Sequence, residues 1–216
     1  MEKLRGLLKA SHFGPTLLVT TIAFGFANYY WWEGPAFVIA FGVFTGQLVV
    51  GWSNDLYDYE DDLRHNRLNK PLVAETISKD YLQKWLRFMV PFSFIANLLG
   101  PLGIKGGTVY MLGISCGVAY NLYFKFSPLS PLPYAIAFAA LPSCIAISKG
   151  INPPTWMWLG GALLGMAAHF INVIKDMNED RVSQIGGLPQ RLGTRYSIVA
   201  AALLIIIFGL VIALAG

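Results

Sequence analysis

Long apolar stretches separated by short polar ones run through this chain from end to end. A helix needs about 20 mostly apolar residues to cross a bilayer, and it satisfies its own backbone polar groups while doing so. The pattern predicts about seven such helices, over roughly 13–31, 36–54, 80–100, 107–124, 132–148, 155–174 and 195–215. Pro91, Pro101 and the pair Trp156 and Trp158 blur the edges of the third and sixth. The expected fold class is all-α: a polytopic transmembrane bundle of about seven helices around a central cavity. Residues 1–216 are expected to form a single domain with no soluble module.

Composition supports this picture. Hydrophobic residues make up 55% of the chain and charged residues 13%, against about 25% charged in soluble domains. The apolar stretch after the basic N-terminus is long and lacks a small-residue cleavage site, so the first helix is expected to remain in place. Cys116 and Cys144 fall inside predicted spans, where cysteine behaves as a small buried hydrophobe. No Cys/His pattern with metal-ligand spacing is present.

Charge orients the chain. Of the 16 Lys and Arg, all but Lys105 and Lys149 fall on one predicted side. Cytoplasmic loops carry the basic excess. The N-terminus and both long charged loops are therefore expected in the cytoplasm, with the protein an integral multi-pass component of the cell membrane. The net charge of +4 follows from this asymmetry and gives no support to a nucleic-acid partner.

Acidic residues show a repeat. From Asn54 the chain reads N-D-L-Y-D-Y-E-D-D, and from Asn172 it reads N-V-I-K-D-M-N-E-D. Both fit N-x-x-x-D-x-x-x-D, which pairs Asn54 with Asn172, Asp58 with Asp176 and Asp62 with Asp180. Each copy reaches a proline nine residues later, Pro71 and Pro189. At about 100° per residue, Asp55, Asp58 and Asp62 share one helix face within roughly 60°. Glu60 and Asp61 fall on other faces and are expected in solvent. Repeats in membrane proteins often build one site at their interface, so the two acidic helix ends are expected to face each other. Unneutralised carboxylates near a bilayer are costly and repel one another. A divalent cation removes both penalties, and hard carboxylate oxygens suit Mg²⁺ completed by phosphate oxygens and water.

Basic residues flank each acidic end: Arg64, Arg67 and Lys70 after the first, and Lys175, Arg181 and Arg191 around the second. Lys125 ends the segment "AYNLYFKFSPLS". Carboxylates, a metal and Lys/Arg together suit a phosphorylated substrate. Beneath them, 14 Phe, ten Tyr and six Trp offer aromatic walls for a lipophilic tail. His169 is one turn from Asn172; a lone intramembrane histidine is more often a packing residue than a base.

These motifs resemble the UbiA intramembrane prenyltransferase family. The resemblance rests on N-D-x-x-D-x-x-x-D at Asn54, Asp55, Asp58 and Asp62, on "NRLNKPL" after it, and on "DMNED…GLPQRLG". The tyrosine-rich helix end that reaches Lys125 adds to it. Such a resemblance implies an all-helical fold whose two Asp motifs bind Mg²⁺ and a prenyl diphosphate. By position, Asp55, Asp58, Asp62, Asp176 and Asp180 would hold the metal. Asp58, Asp62, Asp176 and Asp180 would carry the chemistry, and Asn54, Lys70, Lys125, Asn172 and Arg67 would contact substrate. The implied partners are a prenyl diphosphate, a lipophilic acceptor and the bilayer. Two departures stand out. Family members generally have nine helices where this chain has room for about seven, so the last two, which help wall the cavity, are expected to be missing. The stretch "RVSQIGG" also lacks the Lys and Thr common there. Three functions remain open: prenyl transfer to an aromatic or lipid acceptor, terpene cyclisation from the same ionisation, and transport or ion binding.

Overall fold

The computed structural model describes residues 1–215, and every regular element among them is helical. The helices are α1 (Glu2–Ala10), α2 (Phe13–Tyr30), α3 (Glu33–Arg64), α4 (Lys79–Leu99), α5 (Gly103–Leu122), α6 (Pro131–Ser148), α7 (Thr155–Val182) and α8 (Leu188–Ala213). A single 3-10 turn, Phe124–Phe126, follows α5. The count exceeds the expectation of about seven because α1, at nine residues, is too short to show a membrane-length pattern. It is an amphipathic helix that buries Gly6, Leu7 and Ala10 and exposes Lys3, Arg5 and Lys9.

Two helices also run further than their apolar stretches. α3 continues past Asn54 to Arg64, and α7 continues past residue 174 to Val182. The acids at one-turn spacing keep the helical period after the hydrophobic pattern stops. Each motif is therefore held on rigid helix rather than loop. α8 begins earlier than expected, and Gly193 (φ 78°, ψ 169°) kinks it; a side chain would strain that backbone conformation. The part beyond the kink matches the predicted last helix.

Four helices, α3, α6, α7 and α8, are long and apolar enough to cross a membrane, and the bent pair α1–α2 makes a fifth candidate. The charged first turns of α4 and the Gly- and Tyr-rich sequence of α5 leave these two of span length but less apolar.

Helices consecutive from α2 onward pack side by side, α3 also packs on α5, and α2 meets α6 across the bundle. Small residues allow close approach, as is usual between helices in lipid: a Cβ at Gly161 would stand 2.5 Å from the Phe138 carbonyl oxygen of α6. Polar locks join the first half. Asn97 Nδ2 of α4 donates to the Gly42 carbonyl of α3 at 3.0 Å, and the Tyr110 hydroxyl of α5 donates to the Val43 carbonyl at 2.8 Å. These bonds fix α4 and α5 around the helix that carries the first acid motif.

Candidate active site

Both motif helices end in the same way. His65 N donates to Asp61 O, Asn66 N to Leu63 O and Arg67 N to Asp62 O, at 3.1, 3.1 and 3.0 Å. In the second copy Ser183 N donates to Glu179 O, Gln184 N to Arg181 O and Ile185 N to Asp180 O, at 3.0, 3.2 and 2.9 Å. Every position in the second set is 118 residues beyond its counterpart, the same offset as Asn54 to Asn172. Asn66 (φ 51°) and Gln184 (φ 55°) take the left-handed conformation at matched positions, where the chain reverses out of the helix. The repeat is thus one of backbone as well as sequence.

After the first reversal, residues 65–78 fold back over the end of α3 and deliver cations to its acids. Lys70 Nζ lies 2.8 Å from Asp55 Oδ1 and 3.9 Å from Asp62 Oδ2. Arg67 Nη1 donates to Asp62 Oδ1 at 2.7 Å. Asp55 and Asp62 are almost wholly buried. Burial alone would lower the pKa of Lys70, yet Asp55, with Asp62 and Asp58, outweighs it and raises the pKa above its ordinary value. Arg67 is likewise raised: Asp62 and Asp61 outweigh its desolvation. Both side chains therefore hold their positive charge firmly.

Lys125 reaches the same acids from the 3-10 turn after α5. Its buried ammonium pairs with Asp58 Oδ1 and sits 5.0 Å from the centre of the Tyr57 ring. Asn54 Nδ2 donates to Asp58 Oδ2. Tyr57 in turn donates to the Leu122 carbonyl at 3.1 Å, which ties the turn to α3. Asp55, Lys70, Asp62 and Arg67 form one bonded set and Asn54, Asp58 and Lys125 a second, and Lys70 is within electrostatic range of Asp58.

The second motif closes on the first. Ser183 Oγ receives a hydrogen bond from Arg67 Nη2 at 2.7 Å and donates to Asp61 Oδ2 at 2.6 Å. Asp61, expected in solvent, is a bridge between the two helix ends, because its face of α3 turns toward the end of α7. Glu60 is 68% exposed, as expected, and meets Lys79 at 3.1 Å. The two caps border a cleft of about 280 Å³ lined by Asp61, Arg64, His65, Val182, Ser183 and Gln184. Asp176 feels Glu179 and Lys175 of its own helix first and then Lys70 and Arg67, and Asp180 feels Asp176, Lys125 and Arg67. Gln190 Nε2 donates to Asp180 Oδ2 at 2.7 Å, a partner that sequence reasoning did not assign, although Gln190 stands inside "GLPQRLG". Among the described residues, Asp176 has no hydrogen bond or ion pair. Asn172 lies beside the Tyr134 hydroxyl. Of the other second-motif cations, Arg191 braces its loop through the Gly186 carbonyl at 2.7 Å.

Tyr120 is within electrostatic range of Asp58, Asp176 and Asp180. Its ring meets Tyr134 edge-on at 5.0 Å. His169 packs against both rings, at 5.4 and 4.8 Å, and its Nε2 is 2.9 Å from Ser130 Oγ. That hydroxyl also accepts from Leu188 N at 3.0 Å. His169 therefore helps seat the start of α8 and matches the packing role.

Hard oxygen donors dominate the cluster. Among the described residues, no three of His, Cys, Asp and Glu already converge on a point where an ion would sit. Mg²⁺ needs only one or two carboxylates when substrate oxygens and water complete its shell. Asp55 Oδ2 is buried without a partner, a cost that a bound cation would remove. The donor set fits a hard divalent cation shared with a phosphorylated ligand.

Paired acidic helix ends, interleaved with Lys and Arg at one end of an apolar helical bundle, define the class as a helical membrane protein with a charged site at one end. The chain matches the UbiA prenyltransferase family over residues 16–216 and belongs to it. A relative, lycopene elongase/hydratase of Corynebacterium glutamicum, is 26% identical over 215 residues, covering 92% of this chain and 73% of that protein. A UbiA homolog from Archaeoglobus fulgidus, solved with GPP and Mg²⁺, superposes with TM-score 0.80 at 16% identity, over 97% of this chain and 77% of that one. The structure of digeranylgeranylglyceryl phosphate synthase gives TM-score 0.74, also at 16% identity, over 98% and 76%. At such identities these structures establish the shared fold.

Proposed function

We propose that this protein is a Mg²⁺-dependent intramembrane prenyltransferase. It ionises a prenyl diphosphate, transfers the prenyl group to a lipophilic aromatic or lipid acceptor, and releases pyrophosphate. The observation that carries this is the meeting of two matched acid-bearing helix ends, with Lys70, Lys125 and Arg67 set among their carboxylates. Family membership supports the reaction class. The relative named for lycopene elongation and hydration, and the fold-mate named for a glyceryl phosphate lipid, both support a lipophilic acceptor.

Asp55, Asp58, Asp62, Asp176 and Asp180 would hold Mg²⁺, which when bound neutralises diphosphate charge and makes it a better leaving group. Lys70, Lys125 and Arg67 exchange a carboxylate partner for diphosphate oxygens, and Asn54 and Asn172 orient the headgroup. Fixed charge at the headgroup lowers the barrier to breaking the C–O bond, whose electron pair leaves with pyrophosphate. The rings of Tyr120 and Tyr134, packed edge-on at 5.0 Å, would stabilise the allylic carbon as it becomes positive. An electron pair of the acceptor then closes the new bond, and the acceptor gives up a proton. The basic side, with the N-terminus and both motifs, faces the cytoplasm of the cell membrane.

The test uses protein in lipid nanodiscs with C10, C15 and C20 prenyl diphosphates, with and without Mg²⁺ and a membrane-lipid extract. Mg²⁺-dependent pyrophosphate release together with a prenylated acceptor by mass spectrometry is expected. A cyclic hydrocarbon or alcohol formed without acceptor would replace transferase by cyclase. Absence of release under every condition would refute both.

A further inference from the structure

The joint between α1 and α2 bends by 69°, and His12 occupies it in the left-handed region, at φ 52° and ψ 58°. Residues with a side chain persist there only where their surroundings hold them. Here the surroundings do. Ser11 Oγ donates to the Leu8 carbonyl and Thr16 Oγ1 to the Ser11 carbonyl, both at 2.7 Å. Trp52 Nε1 of α3 donates to the Leu7 carbonyl at 2.9 Å. Gly51 lies directly under the joint: a Cβ there would stand 2.6 Å from the Ser11 carbonyl oxygen. Asp55 is one helical turn beyond Gly51. The imidazole Nε2 of His12 consequently lies 3.3 Å from Asp55 Oδ1, the oxygen that Lys70 also holds. The other oxygen, Oδ2, is buried and unpartnered.

Given the prenyltransferase function proposed above, on which this rests, we infer that His12 is a positioning residue for the acid site. It fixes the Asp55 carboxylate through Oδ1 and so presents Oδ2 to the metal–diphosphate headgroup. Lys70 donates to Oδ1 at 2.8 Å and the His12 ring stands against the same oxygen at 3.3 Å, so the carboxylate is confined from two sides, where one partner would leave it free to turn. They also differ in freedom. Lys70 sits on a flexible stem in a loop and can move to the diphosphate. His12 is held by a joint pinned to α3 and stays. Asp55 therefore keeps its orientation when Lys70 changes partner. Outer partners of metal-binding carboxylates act in this way, and their loss typically weakens metal affinity about 10- to 100-fold.

The decisive variant is His12→Gly, which relieves the left-handed backbone and deletes the imidazole. His12→Asn, which also tolerates that conformation but is too short to reach Asp55, is the second variant should the first fail to fold. Calorimetric titration of Mg²⁺ with inorganic pyrophosphate present, in nanodiscs, reads the effect without turnover. Mg²⁺ affinity is expected to fall about tenfold, with an unchanged melting temperature and recovery of affinity on adding free imidazole to His12→Gly. The Mg²⁺ dependence of pyrophosphate release should shift by the same factor. Wild-type Mg²⁺ affinity in the variant, or failure of imidazole to restore it, would overturn the assignment. A wild-type protein that releases no pyrophosphate would instead refute the proposed function, a result distinct from an active wild type indistinguishable from His12→Gly.

Discussion

Lys125→Met is the most searching perturbation of the site, because it keeps the apolar stem and removes only the charge. Lys125 is 6% exposed, pairs with Asp58 and lies over the Tyr57 ring. Breaking a buried ion pair costs about 3–5 kcal/mol and an exposed one about 0.2–1 kcal/mol. The Asp58 side chain is 22% exposed and keeps its bond from Asn54, so a value between these limits applies, about 1–3 kcal/mol. At about 2–4 °C per kcal/mol for a chain of this size, the melting temperature should fall by several degrees. The effect on turnover is separate. A hydrogen bond to a charged group contributes about 1.5–3 kcal/mol, so losing one from the diphosphate lowers kcat/KM about 10- to 150-fold. The assay is Mg²⁺-dependent pyrophosphate release in nanodiscs, with thermal unfolding measured on the same preparation. Lys125→Arg should recover most of the stability and part of the rate, since it restores charge with a different reach. A Lys125→Met protein that stays folded with wild-type kcat/KM would show that Lys125 is a counter-ion for Asp58 alone.

Asp176→Asn should lower kcat about 10²- to 10³-fold while leaving the melting temperature unchanged. Among the described residues Asp176 has no hydrogen bond or ion pair to lose, so a large loss of stability would contradict the structure. Ser183→Ala cuts the bridge between Arg67 and Asp61 and should reduce kcat/KM about tenfold. Amide exchange across residues 183–187 should accelerate with it, and unchanged exchange would count against the bridge. Chelation with EDTA should abolish pyrophosphate release and Mg²⁺ should restore it, whereas full activity in EDTA would exclude the carboxylates as metal ligands. His169→Phe, which keeps the packed ring and removes the bond to Ser130, should lower stability by about 1–2 kcal/mol. Its kcat should stay near wild type in the folded fraction; abolished turnover would make His169 part of the chemistry.

Much of this architecture can be read from the chain because membrane solvation imposes long apolar periods and makes carboxylates at the ends of apolar helices conspicuous. The repeat from Asn54 and Asn172 pointed to both halves of the site, and helical spacing separated Asp55, Asp58 and Asp62 from Glu60. What escaped notice depends on contacts between elements. Asp61 meets Ser183 because two helices end side by side. His12 meets Asp55 because a glycine lets one backbone sink against another. α1 is too short for any span-length window, though its alternation of Lys3, Arg5 and Lys9 with Leu7 and Ala10 carried the signal of a surface helix. The helix ends at Arg64 and Val182 were missed because hydropathy stops at the membrane edge, whereas backbone hydrogen bonding does not.

The matched helix ends differ in what they carry. Position for position, Asp55 corresponds to Val173, Arg67 to Ile185 and Lys70 to Leu188. One backbone design thus ends once in interlocked acids and bases and once in nearly bare acids. The difference lies in pairing and not in number: three basic residues flank each end, yet among the described residues only the α3 carboxylates are ion-paired. A near-symmetric frame thus holds one set of acids already neutralised and one set still open, and the two halves of the site are not interchangeable.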